Sequence, residues 1–190
     1  MTPKFFRVVD SFAPSDRWFL GAPQLADGTT VDPRLFTEGR SYAQEQDFLI
    51  SVKKGKAPLD FTLASFDMPV TKVHIAESMK AKAPNDVQLI PAQIMGTTGS
   101  YRIINVLTML KAINEELSEI TRWTATDGLK HRIGDYAGIG RLVLQADKIT
   151  GEAIFRLKDW ELPFIVRDDV KTLLQDLNTS GIDFEEIPVV

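Results

Sequence analysis

Cysteine is absent from the chain, which excludes disulfide bridges, thiolate nucleophiles and cysteine-ligated zinc and suits a reducing compartment. Histidine is nearly absent. His74, flanked by Val73 and Ile75, reads as a packed or edge histidine of an apolar strand. His131 has Asp135 four residues on, a spacing that could place two metal ligands on one helical face. Gly134 interrupts that segment and no second histidine lies nearby, so neither a metal nor any other cofactor is expected. Clustered base is scarce as well. Lys53-Lys54-Gly55-Lys56 is the densest basic run and reads as a solvated turn, which argues against direct binding of nucleic acid. No run approaches the roughly 20 apolar residues that span a bilayer. The opening Met1-Thr2-Pro3-Lys4-Phe5-Phe6-Arg7 has no long apolar stretch before its charges resume, so a cytoplasmic protein is expected.

Catalytic motifs are equally scarce. Gly138-Ile139-Gly140 lacks the third glycine of a dinucleotide fingerprint, and Gly96-Thr97-Thr98-Gly99-Ser100 lacks the lysine of a phosphate loop and reads as a hairpin turn. Serines occur without a nucleophile elbow. Carboxylates are numerous enough to pair for acid–base work, but their convergence is not written in sequence. The expectation is a protein that is not an enzyme.

What is present is an ordinary globular composition, with 44% hydrophobic and 25% charged residues. A chain of 190 residues removes roughly 70% of its unfolded surface on folding, enough for a core without covalent staples. The pattern predicts an α+β fold with mixed or antiparallel sheets and a few short helices. Phe5–Val9 and Phe48–Val52 read as strands, and Trp18-Phe19-Leu20 as an apolar patch closed by Gly21-Ala22-Pro23. Val70, Val73 and Ile75 suggest a strand or its approach, and Ala76–Ala81 a short helix stopped by Pro84. Val87–Ile94 and Tyr101–Leu107 form a hairpin around Gly96–Gly99. Helical spacing also fits Ile103, Val106, Leu107 and Leu110, but the turn glycines favour the strand. Residues 108–120 are helical or irregular, and 121–140 a long loop or two short strands. Arg141–Leu144 and Ala153–Leu157 read as strands about Gly151. The clearest helix is Asp168–Asn178, where Val170, Leu173, Leu174 and Leu177 form one stripe and Gly181 follows as a stop. Ile182, Phe184 and Ile187 lead into a last strand.

Two segments share one grammar of strand, short helix, strand and proline. Val73–Lys80 runs on to Ile90-Pro91-Ala92, and Phe164–Lys171 to Ile187-Pro188-Val189. Two similar small lobes are compatible with this, as is chance likeness between amphipathic segments. The expected organisation is one domain over residues 1–190, with room for an N-terminal lobe at 1–66 and a main lobe at 67–190.

Charge is unevenly placed. Residues 158–190 carry eight acids and three bases, although the whole chain has a net charge of only −4. One reading is solubility and helix-end stabilisation. The other is an acidic face, with Asp183, Glu185 and Glu186 at its end, that steers a basic partner. A second acidic cluster, Glu115, Glu116 and Glu119, precedes Trp123, and an aromatic beside acids can anchor an interface or belong to the core. These seven residues are the candidate partner-binding set.

The order of these pieces resembles a family of bacterial immunity proteins from polymorphic toxin systems, the myxobacterial-type immunity family. The resemblance is carried by Trp18-Phe19-Leu20-Gly21-Ala22-Pro23, Gly55 with Leu59-Asp60-Phe61, the Val73–Met79 segment leading to Leu89-Ile90-Pro91, and Tyr101–Val106. Asn114-Glu115-Glu116-Leu117-Ser118, Ile154–Leu157 and the closing helix to Ile187-Pro188-Val189 complete it. Asn114 stands where an aspartate is expected, and Arg167 where a serine would cap the last helix. The resemblance implies a cytoplasmic protein made beside a toxin gene, which binds and neutralises that toxin, frequently a nuclease. The alternative is a small-molecule-binding or regulatory α+β domain, and behind it an enzyme with an unrecognised carboxylate site. A deep pocket with converging polar groups would favour those two.

Overall fold

The computed structural model describes residues 3–43 and 46–190; Met1 and Thr2 of the opening segment lie outside them. The fold is α+β but strand-dominated, with two α-helices among the described residues. The chain opens with β1 (Phe5–Asp10), which belongs to a second sheet. A first sheet of six strands follows: β2 (Phe19–Gln24), β3 (Phe48–Lys54), β4 (Phe61–Ala64), β5 (Met68–Lys72), β6 (Val87–Ile94) and β7 (Ser100–Val106). Their spatial order is β2-β3-β6-β7-β5-β4. All neighbours run antiparallel except β3 and β6. The sheet curls until its two ends meet, where the Trp18 indole Nε1 donates to Thr62 Oγ1 on β4 at 2.9 Å. Trp18, Phe36, Phe48, Ile50, Met68, Tyr101 and Ile103 fill the near-barrel so formed.

The second sheet has the order β13-β1-β12-β11-β8, from β8 (Met109–Leu110), β11 (Ile154–Leu157), β12 (Trp160–Arg167) and β13 (Ile182–Ile187). Between its second and third strands in sequence, β8 and β11, the chain makes an excursion, residues 111–153, which includes the two-stranded ribbon β9 (Ile120–Arg122) and β10 (Tyr136–Ile139). Helices α1 (Val73–Lys82) and α2 (Asp168–Asp176) lie in the apolar layer shared by the two sheets. There Ile75, Ala76 and Met79 meet Val170 and Leu174, with Phe6, Val8, Phe164 and Val166 from one sheet and Phe61, Ile104 and Val106 from the other.

The two segments of shared grammar hold equivalent places. The β4–β5 hairpin leads through α1 to β6, and β7 fills the gap between β5 and β6, antiparallel to both. The β11–β12 hairpin leads through α2 to β13, and β1 fills the corresponding gap, again antiparallel to both neighbours. The filler is the next strand in the first unit and the first strand of the chain in the second. Both units contribute to one apolar layer, and position 66 lies in the β4–β5 turn.

Several local expectations are corrected. Val73 and Ile75 are helical, not extended, and His74 is an exposed helix residue. The buried stripe of α1 is Ile75, Ala76 and Met79, continued by Ala83 at the C-cap, and the small alanines hide the period beneath two β-branched residues. Arg141–Leu144 forms no strand. Val143 exchanges hydrogen bonds with Asn114 and Ser118, while Leu144 pairs with Pro188 and Val190, so the segment is sewn to two different neighbours in turn. Of the two readings for residues 108–120 the irregular one holds, apart from β8 and the first residue of β9. Gly21, Ala22 and Pro23 continue β2 instead of closing it. Arg167, in the cap position of α2, makes no cap bond; its guanidinium instead grips the Asp169 carboxylate with two bonds of 2.9 Å.

Candidate functional site

The 114–118 turn carries the first acidic cluster. Asn114 Oδ1 accepts from Leu117 N at 3.0 Å, and Ser118 Oγ accepts from Val143 N at 3.0 Å, so the side chains that shape the turn are occupied in doing so. The amide in place of an aspartate has a structural role here. Glu115 is consumed locally: it accepts from Arg122 Nη2 at 2.6 Å and from the Tyr136 hydroxyl, while Arg122 stacks over the Tyr136 ring at 4.6 Å. The hydrogen bonds from Tyr136 and Arg122 hold the Glu115 carboxyl below the usual carboxylate range. Burial, followed by the bond to Glu115, pushes the Tyr136 phenol up. Glu116 and Glu119 are exposed and have no ion-pair partner among the described residues. Trp123 is half-buried, with Arg132 5.2 Å above its ring. It belongs to the ribbon, where its backbone bonds Gly134 and Asp135, and not to any of the three apolar clusters of the fold.

The second cluster lies on β13, an edge strand. Asp183, Glu185 and Glu186 are all exposed. Glu186 pairs with Lys4 at 2.9 Å, both side chains more than half exposed, and Glu185 stands opposite Arg7 in register. Asp183 and Glu185 have no ion-pair partner among the described residues.

The excursion brings the two clusters toward one another. Glu119 exchanges backbone bonds with Gly140 and Arg141, each 2.9 Å long. Gly140 and Arg141 in turn line, with Glu185 and Glu186, a notch of about 240 Å³ beside β13. Glu119 is thus bonded to the 139–142 segment, which shares its notch with Glu185 and Glu186, while Glu116 is an exposed residue of the neighbouring turn. Trp123 follows β9 on the ribbon, and Glu115, bonded to the ribbon from the 114–118 turn, lines a separate polar recess with Arg122, Arg132 and Asp159.

Other polar groups that sequence reading passed over bind the fold together. Asp86 accepts from Thr108 Oγ1 and from the backbone of Ala153 and Ile154, at 2.8 to 3.1 Å. Arg156, fully buried in β11, donates to the carbonyls of Asp67, Glu161 and Leu162. The one signal for it was a charged residue inside the apolar run Ile154-Phe155-Arg156-Leu157. His131 is exposed, and the Asp135 carboxylate faces Arg132 at 3.7 Å. Among the described residues no group of three or more histidine, aspartate or glutamate side chains converges as a metal site would require, and no helix is long and apolar enough to cross a membrane.

A family model described as an immunity protein family, Imm11, matches residues 16–189. No protein with a curated description matches the chain.

Proposed function

The chain belongs to the Imm11 immunity protein family of polymorphic toxin systems, and we propose that it protects the cell making it by binding a cognate toxin stoichiometrically, without turning over a substrate. In this reading residues 1–190 act as one immunity-type domain in the cytoplasm. The toxin is basic and nuclease-like, because an enzyme that grips phosphates presents lysine and arginine where it binds them. The protein meets that toxin and not the nucleic acid itself.

The observation that supports the proposal is that the 139–142 segment is bonded to Glu119 of the first acidic cluster and shares a notch with Glu185 and Glu186 of the second. These carboxylates are exposed, so they are available to draw in a partner of opposite sign. Glu115 and Trp123 contribute by stiffening the ribbon through the Arg122 and Arg132 stacks, and Asp183 extends the acidic edge.

The test is protection. Cells expressing the toxin encoded beside this chain's gene should survive when the chain is co-expressed, and the two proteins should co-purify. Killing at the same rate with and without the chain would refute the reading. Turnover of a substrate by the purified chain alone would refute its non-enzymatic part.

A further inference from the structure

Backbone hydrogen bonds fix which way each residue of β13 faces. Ser11 N donates to Gly181 O at 3.0 Å, and on the other flank of β1 Asp168 N donates to Lys4 O at 2.9 Å. In an antiparallel ladder the bonded residues alternate. Lys4, Phe6 and Val8 therefore address β12, while Phe5, Arg7 and Val9 address β13. With the register Phe5↔Ile187, Arg7↔Glu185 and Val9↔Asp183, the amides and carbonyls of Ile182, Phe184 and Glu186 point away from the sheet.

Beyond Ile187 that outer side is already in use. Leu144 N donates to Pro188 O, Val190 N to Leu144 O, and Ala146 N to Val190 O, at 2.8 to 3.0 Å. The chain itself thus adds a short parallel stretch to the same edge. Among the described residues no strand pairs with the outer side of Ile182–Glu186. An edge left open invites another strand. Here its exposed side chains, Asp183, Glu185 and Glu186, are all acidic, which repels a second copy of the same edge and favours a partner of opposite charge.

We infer that the outer edge of β13 receives an extended, lysine- and arginine-rich segment of the toxin as an added strand, in line with the chain's own 144–146 stretch. The inference rests on the proposed function and names its surface. Main-chain bonds to Ile182, Phe184 and Glu186 supply the docking, and the three carboxylates select for base.

Proline separates the backbone contribution from charge. At 186 the N–H faces solvent, a position where a strand tolerates proline. Glu186→Pro and Glu186→Ala both remove the carboxylate and its Lys4 pair, but only the proline removes the outward donor. The E186P chain should bind the toxin at least about tenfold more weakly than E186A, given the value of one backbone bond plus the steric block to the next. Equal affinities overturn the added strand while leaving toxin binding intact; no binding by the unaltered chain overturns both. Should E186P fail to fold, hydrogen exchange on the unaltered chain decides. The amides of Ile182, Phe184 and Glu186 should slow on adding toxin, and unchanged exchange at all three contradicts the inference. A concentration-dependent dimer of the free chain that E186P abolishes would assign the edge to a second copy and overturn it likewise.

Discussion

At the scale of single residues, Arg156 shows how a charge can be buried to good purpose. Its guanidinium has no carboxylate within bonding distance among the described residues; it holds three main-chain carbonyls, one on the β4–β5 turn of the first sheet and two on β12 of the second. Burial lowers its pKa to about 10, against the pull of Asp67 and Glu161, so it remains charged at neutral pH. Arg156→Ala should cost about 3 kcal/mol or more, because it removes charge-assisted bonds and strands three acceptors. Arg156→Lys should recover less than half of that, since an ammonium cannot reproduce the planar fork. Urea unfolding of the three proteins checks both. Asp169 gives a pH signature. The Arg167 guanidinium holds its carboxyl below the usual range, against a smaller opposing effect of burial. A carboxyl depressed in the folded state stabilises above its unfolded pKa, and that stability is lost as pH falls through the folded value. The gap between the parent chain and Asp169→Asn, about 1 kcal/mol for so partly exposed a pair, should therefore be full at neutral pH and close in acid. A gap that persisted unchanged in acid would mean that Asp169 acts through packing.

Among the elements, closure of the first sheet hangs on the contact between β2 and β4. Trp18 is the largest fully buried side chain and its indole bonds Thr62 across the seam. Trp18→Phe should cost roughly 1–3 kcal/mol, and a double-mutant cycle with Thr62→Val should show coupling between the two; additive losses would mean that the seam bond contributes nothing. At the turn after β3, Gly55 sits at φ +77, and a Cβ there would lie 1.8 Å from the Arg17 carbonyl oxygen. Gly55→Ala therefore must displace backbone, and should lower the melting temperature by more than the conformational cost of alanine at positive φ alone. Where one period dominated, the elements were legible in the sequence. Val87–Ile94, the α2 stripe and the last strand stand where alternation or helical spacing put them. They were illegible where tertiary bonding overrode local pattern. Val73 and Ile75 prefer strands intrinsically, yet they form the first turn of α1, with Ile75 buried in the layer shared with α2 and β7. Arg141–Leu144 is a short apolar run like that of a strand, but its hydrogen bonds are divided between the 114–119 turn and the C-terminal residues.

For the whole molecule, the repeated hairpin–helix–strand connectivity places α1 and α2 in one layer and leaves β13 at an edge, because among the described residues no strand covers its outer side as β3 covers that of β6. The acidic residues themselves were readable from charge counting. Their arrangement was not, because Glu119 meets the neighbourhood of Glu185 only through the path of the 111–153 excursion, which no local period encodes. The same path explains why Glu115 differs from Glu116. Two adjacent glutamates look alike in sequence, which cannot reveal that Arg122 and Tyr136 return to occupy one carboxylate and leave the next without an ion-pair partner among the described residues. Reversing the charge of Glu185 and Glu186 together should slow association with a basic toxin about tenfold at low ionic strength, and the difference should shrink as salt shortens the screening length. Stopped-flow association rates across a salt series would reveal it, and rates indifferent to the reversal would remove β13 from the steering surface. The decisive experiment is a titration of toxin activity with the purified chain. Inhibition should grow linearly and end at a fixed stoichiometric equivalence, with a stable complex recovered at that point. Full toxin activity in the presence of excess chain would contradict the whole account.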